Sequence, residues 1–229
     1  APSHERHTMS ATPFAILQCT DPACNLRVPA TGDQRLDRCV RCHAPARIVE
    51  SGITGTSRTN ADTQQRIPVE LALDNIRSAF NVGSIFRSAD GAGEQRVYLC
   101  GFTPTPDHPR VAKTALGAEH VVPWRSVPNA LALVEEAQGN GIPVWALESG
   151  ADAQSLWHAS LPNGLSAERP LLLVAGSEVA GVDPAILRAA DAVIEIPMRG
   201  TKLSLNVAIA VGIALTLLGE RTGQQHANA

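Results

Sequence analysis

Four of the five cysteines of this chain are grouped in two pairs. Cys19 and Cys24 have four residues between them, and Cys39 and Cys42 have two. Each spacing lets two thiolates bind one ion, and four thiolates complete a tetrahedral structural zinc site. Because segment 15–50 has little room for an apolar core, a bound metal would supply its folding free energy. Unligated buried thiols and an iron–sulfur cluster are the two alternatives for the same residues.

A second candidate for chemistry is segment 74–93, in which polar and small residues interrupt an amphipathic pattern. Asn81 and Arg87 are six positions apart, and we expect both to border one pocket at the start of a helix. A guanidinium group presents a fixed fork of donors that matches a phosphate. The alternative for these residues is a helix N-cap followed by a solvated arginine.

Glycines follow an apolar run in segment 171–181, LLLVAGSEVAG. Gly176 and Gly181 let a ligand approach the backbone, and the N–H groups of a following helix start would be free to bind it. Glu178 lies between them, where its carboxylate can accept hydrogen bonds from hydroxyl groups or hold Arg87. A tight turn between a strand and a helix explains the same residues without a ligand.

A third group of polar residues lies in segment 194–207, where a strand-like run ends at Pro197 and a loop follows. Ser204 is a favourable N-cap for the last helix, and Asn206 can point into the same cleft. Helix capping alone also accounts for Ser204, but it does not account for the whole segment.

The elements that would position these residues alternate between strand-like and helix-like patterns from Ile67 onward. The predicted strands are 69–73, 96–100, 121–124, 143–147, 171–175 and 193–196. The predicted helices are 82–89, 128–138, 184–190 and 205–220. This alternation indicates an α/β fold with a mostly parallel sheet. A strand that is apolar at nearly every position, such as 171–175, is typical of a sheet covered on both faces.

The composition fits an ordered protein, since hydrophobic residues make up 44% and charged residues 18% of the 229 residues. No apolar run approaches the roughly 20 residues that span a bilayer, which predicts no membrane partner. The first residues lack the pattern of a signal peptide, so we expect a cytoplasmic location. The polar segment 51–66 is predicted to be a flexible linker between a module at 15–50 and a domain at 67–222.

The net charge of −3 is unevenly distributed. Segment 1–66 holds 8 arginines against 6 acidic residues, whereas segment 67–229 holds 11 basic and 16 acidic residues. An acidic total is unusual for a nucleic-acid-binding domain. The chain has only two lysines, Lys113 and Lys202, which is compatible either with a role that arginine cannot fill or with chance.

Taken in this order, the three segments closely resemble the SpoU, or TrmH-like, branch of the SPOUT RNA methyltransferases. The resemblance runs from about Val69 to Glu220 and includes the block KTALGAEHVVPW at Lys113–Trp124. The departures are slight: Ser177 stands where many members carry Asn or Thr, and Val179 and Ala180 replace more polar residues. The cysteine pattern resembles a zinc ribbon and lies outside this match.

The resemblance implies an α/β SPOUT domain with a C-terminal trefoil knot, preceded by the small zinc ribbon. It implies that S-adenosylmethionine binds in the knot, in a pocket lined by Ala175, Gly176, Ile196, Met198, Ser204 and Leu205. No metal is needed for methyl transfer, so zinc would be structural. The family also implies a homodimer whose active site is completed across the interface. The last helix is apolar nearly all round, which predicts burial on several sides by a partner subunit or within one subunit.

The reaction implied by the resemblance is methylation of a ribose 2′-hydroxyl in tRNA or rRNA. The catalytic residues carried over from the family are Arg87, Asn81, Glu178, Ser204 and Asn206. Arg87 is assigned to activation of the hydroxyl and the others to orientation, although an arginine with a pKa above about 12 is an awkward general base. The alternatives are a catalytically inactive RNA-binding protein in RNA maturation and a methyltransferase that acts on a base.

The N-terminal module is predicted to help capture RNA because it is net positive and phosphate neutralisation dominates RNA affinity. The candidate contacts are Arg27, Arg35, Arg38, Arg41 and Arg47. The alternative is a ribbon that only stabilises the dimer or binds another protein.

Overall fold

The computed structural model describes residues 14–31, 37–53, 66–94 and 96–227. The chain divides into two compact units, Ala1–Thr63 and Gln64–Ala229. No helix in the described ranges has both the length and the hydropathy that crossing a bilayer requires.

The N-terminal unit contains a three-stranded antiparallel sheet in the order β2-β1-β3, so that the first strand lies in the middle. Its strands are β1 (Phe14–Cys19), β2 (Arg27–Thr31) and β3 (Ala46–Ile53). The turn between β1 and β2 carries Cys24, and the turn before β3 carries Cys39 and Cys42. The sheet therefore brings both cysteine pairs to the same end of the unit.

The end of this unit differs from the prediction. β3 continues to Ile53, where it pairs with Phe14, so the module extends beyond 15–50 and the first residues of the predicted linker are part of a strand. The polar composition of segment 51–66 did not predict this pairing, because β3 is an edge strand that faces solvent and can therefore be polar. The remainder of the linker, 54–65, lies outside the described residues, as does Arg35.

The C-terminal unit is built on a seven-stranded sheet in the order β6-β5-β4-β9-β7-β10-β8, in which every neighbouring pair is parallel. The strands are β4 (Val69–Asp74), β5 (Arg96–Cys100), β6 (Trp124–Val127), β7 (Val144–Leu147), β8 (Gln154–Ser155), β9 (Leu171–Ala175) and β10 (Ala192–Glu195). The predicted α/β fold with a mostly parallel sheet is confirmed. β9 is buried along its whole length, as its apolar sequence indicates.

Helices cover both faces of this sheet. They are α1 (Ala79–Ala92), α2 (Pro109–Ala115), α3 (Ala130–Gly139), α4 (Pro184–Ala189) and α5 (Val207–Ala227). Leu71 and Leu73 of β4 pack with α1 and with Leu215 of α5. Ala72, between them, belongs to a second core with Ile186 of α4. Successive side chains of β4 thus enter two different cores, because they point to opposite faces of the sheet.

Several elements of this unit differ from the sequence-based expectation. The strand expected at 121–124 is observed as β6, which begins only at Trp124. Val122 follows a short 3-10 turn and its side chain is buried, which explains its apolar character. It is not hydrogen-bonded to a neighbouring strand of the sheet. The patterns also missed β8 and α2, although α2 has a recognisable start in which His108 caps the helix and Pro109 follows it.

The last helix starts two residues later than expected from the range 205–220. Asn206 caps it, since its side-chain oxygen accepts a hydrogen bond from the Ala208 N–H at 2.9 Å. The expected capping role of Ser204 is therefore wrong, and this residue lies exposed on the preceding loop. The helix also continues beyond residue 222, the predicted end of the domain.

Candidate active site and metal centre

The polar residues predicted from the three segments lie where neighbouring parallel strands end. β4, β9, β7 and β10 are adjacent in the sheet, so the loops that follow them leave from one edge. In open parallel sheets this carboxyl edge is where ligands bind. The loop after β4 leads into α1, the loop after β9 contains Glu178, and the loop after β10 leads to Asn206.

Glu178 joins two of these loops by three hydrogen bonds. Its carboxylate accepts from the Arg77 N–H at 2.9 Å, the Ser78 N–H at 3.1 Å and the Asn81 side-chain amide at 2.8 Å. The two backbone donors lie at the start of α1, where N–H groups lack partners within the helix and the helix dipole favours a negative charge. The start of α1 is thus built to hold this carboxylate.

Asn81 extends the network to the third segment. Its side-chain oxygen accepts a hydrogen bond from the Asn206 amide at 3.1 Å. Burial raises the pKa of Glu178, but the hydrogen bonds from Arg77, Asn81 and Ser78 outweigh burial and hold this pKa below its ordinary value. Glu178 is therefore ionised at neutral pH and acts only as an acceptor.

A cavity of about 650 Å³ opens beside this network, within the usual size range of small-molecule sites. All six residues predicted to bind the methyl donor line it: Ala175, Gly176, Ile196, Met198, Ser204 and Leu205. Three carboxylates also line it, those of Glu148, Glu178 and Glu195, and its lining includes no Lys, Arg or His. A lining of this charge favours a ligand that carries positive charge.

Glu148 is a site residue that the sequence patterns did not identify. Its carboxylate accepts hydrogen bonds from the Val182 N–H at 2.8 Å and the Ser149 N–H at 3.0 Å. It therefore ties the end of β7 to the loop after β9. Glu148 is an acidic residue directly after an apolar strand, which is the same kind of position that predicted the other site residues.

The loop after β9 is closed by a tight contact between backbone atoms. A Cβ atom added to Gly176 would lie 2.3 Å from the backbone of Gly181 and of Val182. Gly181 itself has φ +72°, a left-handed conformation that side chains disfavour. Both glycines predicted from the second segment are therefore required by the backbone path around the cavity.

Arg87 does not reach this cavity within the single chain. It is exposed on α1 and lines a separate groove between α1 and α2, together with Ser84 and Lys113. Six residues along a helix correspond to a rotation of roughly 240°, so Asn81 and Arg87 point to different sides. The expectation that both border one pocket is wrong within one chain, and the contact expected between Glu178 and Arg87 is not formed there.

The model of the SpoU rRNA methylase family matches residues 52–216. The chain belongs to the SpoU rRNA methylase family. The match contains every residue of the network and of the cavity, and it leaves all four clustered cysteines outside.

Two curated proteins similar to this SpoU-family chain are called 23S rRNA (guanosine-2'-O-)-methyltransferase RlmB. The protein from Burkholderia sp is 34% identical over 170 residues, which are 74% of this chain and 66% of the relative. The protein from Pseudomonas aeruginosa is 30% identical over 162 residues, 70% of this chain and 62% of the relative. The chain therefore spans less than two thirds of either relative.

Among solved structures, the chain is similar to an AdoMet-bound rRNA methyltransferase from Sinorhizobium meliloti. The two are 29% identical with a TM-score of 0.61, and the similarity covers 67% of this chain and 56% of the other. The expected SPOUT-type α/β architecture of the SpoU family is thereby confirmed.

The four cysteines outside the SpoU match converge in the N-terminal unit, where their sulfur atoms lie within 4.8 Å of one another. The Cys19 and Cys42 sulfurs are 3.5 Å apart, and those of Cys24 and Cys39 are 3.7 Å apart. Thiolates bound at about 2.3 Å to one tetrahedral zinc ion would be roughly 3.8 Å from one another. The spacing thus fits a single ion.

Backbone groups prepare one of these thiols for metal binding. The N–H groups of Cys42 and Arg41 lower the pKa of Cys39 to about 6. Burial raises the pKa of Cys19 to about 12. The thiolate is the form that binds a metal. A metal ion would therefore bind the Cys39 thiolate readily, and it would displace the proton of the Cys19 thiol.

Proposed function

We propose that this chain is an S-adenosylmethionine-dependent methyltransferase that acts on a ribose 2′-hydroxyl in ribosomal or transfer RNA. One observation carries the proposal: the residues expected to bind the donor line a single cavity, which Glu178 and Asn206 also line. The names of the relatives, which specify the 2′-oxygen of guanosine in 23S rRNA, favour ribosomal RNA as the substrate class.

The cavity suits S-adenosylmethionine in size, charge and shape. The donor has a sulfonium and an ammonium group against one carboxylate, so its net charge is positive, and the ionisable residues of the cavity are all acidic. Gly176 and Gly181 permit the close contacts that shape the cavity wall after β9, since a side chain at either position would collide with neighbouring protein atoms. The similarity to an AdoMet-bound structure gives further support.

S-adenosylmethionine supplies an electrophilic methyl group, and the protein must hold a ribose hydroxyl in line with it. Glu178 and Asn206 lie at the edge of the cavity, where they offer an acceptor and a donor to the target nucleotide. Ser204 is exposed at the same edge. A guanidinium group offers hydrogen-bond donors and no acceptor, so we assign Arg87 to stabilising the developing negative charge on the ribose oxygen or to orienting a phosphate.

We infer further that the active unit is a homodimer in which Arg87 of one subunit completes the cavity of the other. Within its own chain Arg87 lines a different groove, which favours this arrangement. A groove of about 920 Å³ between α1 and α5 is partly apolar, and it includes Ile209 and Trp157, which are 56% and 46% exposed. Exposed apolar side chains grouped in one groove are compatible with an interface. The trefoil knot expected for the family is part of the same proposal.

We assign a structural zinc ion to the four cysteines, and to the N-terminal module a share in RNA capture. Two of its candidate arginines are engaged within the module, since Arg27 pairs with Glu50 and Arg38 donates to a backbone carbonyl at 3.2 Å. Arg41 and Arg47 are exposed and are the better contacts. In this proposal the module contributes to RNA binding and the methyltransferase domain performs the reaction.

Incubation with tritiated S-adenosylmethionine and an unmodified 23S rRNA transcript is expected to label the RNA. Nuclease digestion and mass spectrometry should then yield a 2′-O-methylnucleoside, because the proposed acceptor is the ribose. A methylated base would replace the proposal by a base-directed activity. RNA binding without any methyl transfer, to this transcript or to bulk tRNA, would favour the inactive RNA-binding protein.

Gly176→Ala is expected to weaken S-adenosylmethionine binding by about tenfold or more. The new methyl group would meet backbone atoms at 2.3 Å, and these cannot rotate away as a side chain can. Isothermal titration calorimetry measures the affinity. Gly200→Ala is the matched control, since nothing lies within 4 Å of its Cβ position. Equal affinities in both variants and in the wild type would contradict the placement of the donor.

A further inference from the structure

The groove between α1 and α2 has the opposite charge to the donor cavity. This α1–α2 groove, of about 610 Å³, is lined by Ser84, Arg87, Ser88, Lys113, Thr114 and Leu116. Both of its ionisable residues are cations, and one is among the two lysines of the chain. The donor cavity has three carboxylates and no cation. An RNA backbone is therefore attracted to the groove and repelled from the cavity.

The floor of the α1–α2 groove is fixed by close packing. A Cβ atom added to Gly83 of α1 would lie 2.2 Å from the Val111 carbonyl oxygen of α2, so the two helices are in backbone contact there. The Thr114 hydroxyl donates to the Phe80 carbonyl at 3.0 Å, close to the same point. The two cations of the groove are therefore presented by helices that are held at a set separation.

The surface around the groove is more basic than the sequence of this region suggests. Segment 67–127 contains six basic and six acidic residues. All six basic residues are exposed, whereas the only exposed acidic residues are Asp90 and Asp107. The remainder of the domain, 128–229, contains five basic and ten acidic residues. Arg96 and Arg125 of segment 67–127 lie against Tyr98 on the face of the sheet opposite to α1. The exposed basic residues carried by α1 and α2 themselves are Arg87, Arg110 and Lys113.

We propose that the α1–α2 groove binds RNA phosphates next to the target nucleotide, with Lys113 and Arg110 as the principal contacts. The proposal rests on the proposed function, which places the target ribose near Arg87. A phosphate beside that ribose lies within reach of Lys113, and Arg110 is exposed one turn earlier on the same helix. Phe80, which is 44% exposed, lies on the same side of α1 as Arg87. Its ring offers a face on which a base can stack.

The test uses Lys113→Gln and Arg110→Gln, singly and together, in the full chain. Binding of a fluorescein-labelled 20-nucleotide poly(U) is measured at several salt concentrations. Each lost phosphate contact should reduce the slope of log affinity against log salt by roughly 0.7. With 23S rRNA transcript, the double variant should raise the KM for RNA about tenfold, with kcat and donor affinity unchanged. Arg188→Gln, exposed on α4 behind the opposite face of the sheet, removes one positive charge and is the control for each single variant.

Wild-type salt slope and KM in the double variant would overturn the proposal. An equal loss in Arg188→Gln would overturn it as well, because the effect would then reflect net charge and not the groove. The poly(U) measurement does not depend on methyl transfer, so failure of the proposed function is distinguishable: it would appear as an inactive wild-type protein whose groove variants still lose RNA affinity.

Discussion

Arg87→Ala is expected to lower the kcat of methyl transfer by about 100-fold or more. Arg87 is exposed, and within the described residues it forms no hydrogen bond or ion pair. Its removal should therefore leave both thermal unfolding and S-adenosylmethionine affinity near wild type, while the developing charge on the ribose oxygen loses its cation. Steady-state kinetics, calorimetry and a melting curve measure the three quantities. Activity within about tenfold of wild type, or roughly 1.4 kcal/mol of barrier, would rule out an essential role.

Mixing two impaired variants, at an S-adenosylmethionine concentration well below the weakened Kd of Gly176→Ala, tests whether Arg87 acts across a dimer. One carries Arg87→Ala and the other Gly176→Ala, so each retains what the other lacks. If Arg87 acts in the partner's cavity, half of the dimers in an equal mixture are heterodimers, and each heterodimer has one intact site out of two. About a quarter of wild-type activity then returns. If Arg87 serves its own cavity, no site is intact in any mixture. A monomeric mass by light scattering would contradict the dimer directly.

Cys39→Ser combined with Cys42→Ser is expected to abolish metal binding and to unfold the N-terminal unit. Metal analysis should fall from one zinc ion per chain to none, because two of four converging thiolates are lost. Structural zinc contributes about 10–16 kcal/mol in isolated finger peptides, far more than a three-stranded sheet of this size provides by itself. Limited proteolysis should then remove the N-terminal unit.

Two controls define the zinc experiment. Cys100→Ser changes a cysteine that is buried in β5, away from the cluster, and should retain one zinc ion. The C-terminal unit should still bind S-adenosylmethionine in the double cysteine variant, since the cavity contains none of the four ligands. Iron in place of zinc, or a folded N-terminal unit without any metal, would contradict the assignment.

The six cavity residues were predicted from the resemblance to the SpoU family, and the strand pattern explains why they lie together. Gly176 comes directly after β9 and Ile196 directly after β10, and a parallel sheet brings such positions to one edge. Glu148 occupies an equivalent position after β7, yet it went unrecognised because a single acidic residue after a strand is common in surface loops. Its importance depends on the Val182 N–H that it binds, a contact between distant parts of the chain.

The relation between Asn81 and Arg87 was not predictable from spacing alone. The spacing places both on α1, but the turn of the helix separates their side chains, and the structure puts each in a different groove. The charge of the surface was also hidden in the sequence. Acidic residues such as Glu94 and Glu119 are buried, and net charge does not distinguish them from exposed ones.

The hydrogen-bonded network at the site has a consequence for folding. Glu178 binds Arg77 and Asn81 from 101 and 97 positions away, and Asn206 binds Asn81 from 125 positions away. Contacts between residues so far apart in the sequence close long loops, and we expect them to form late in folding. A chain emerging from the ribosome can complete α1 and the first strands, but it lacks Asn206 until nearly the whole domain is synthesised. Catalytic competence is therefore acquired at the end of folding, and an incomplete chain that docks α1 early remains unable to bring these three side chains together.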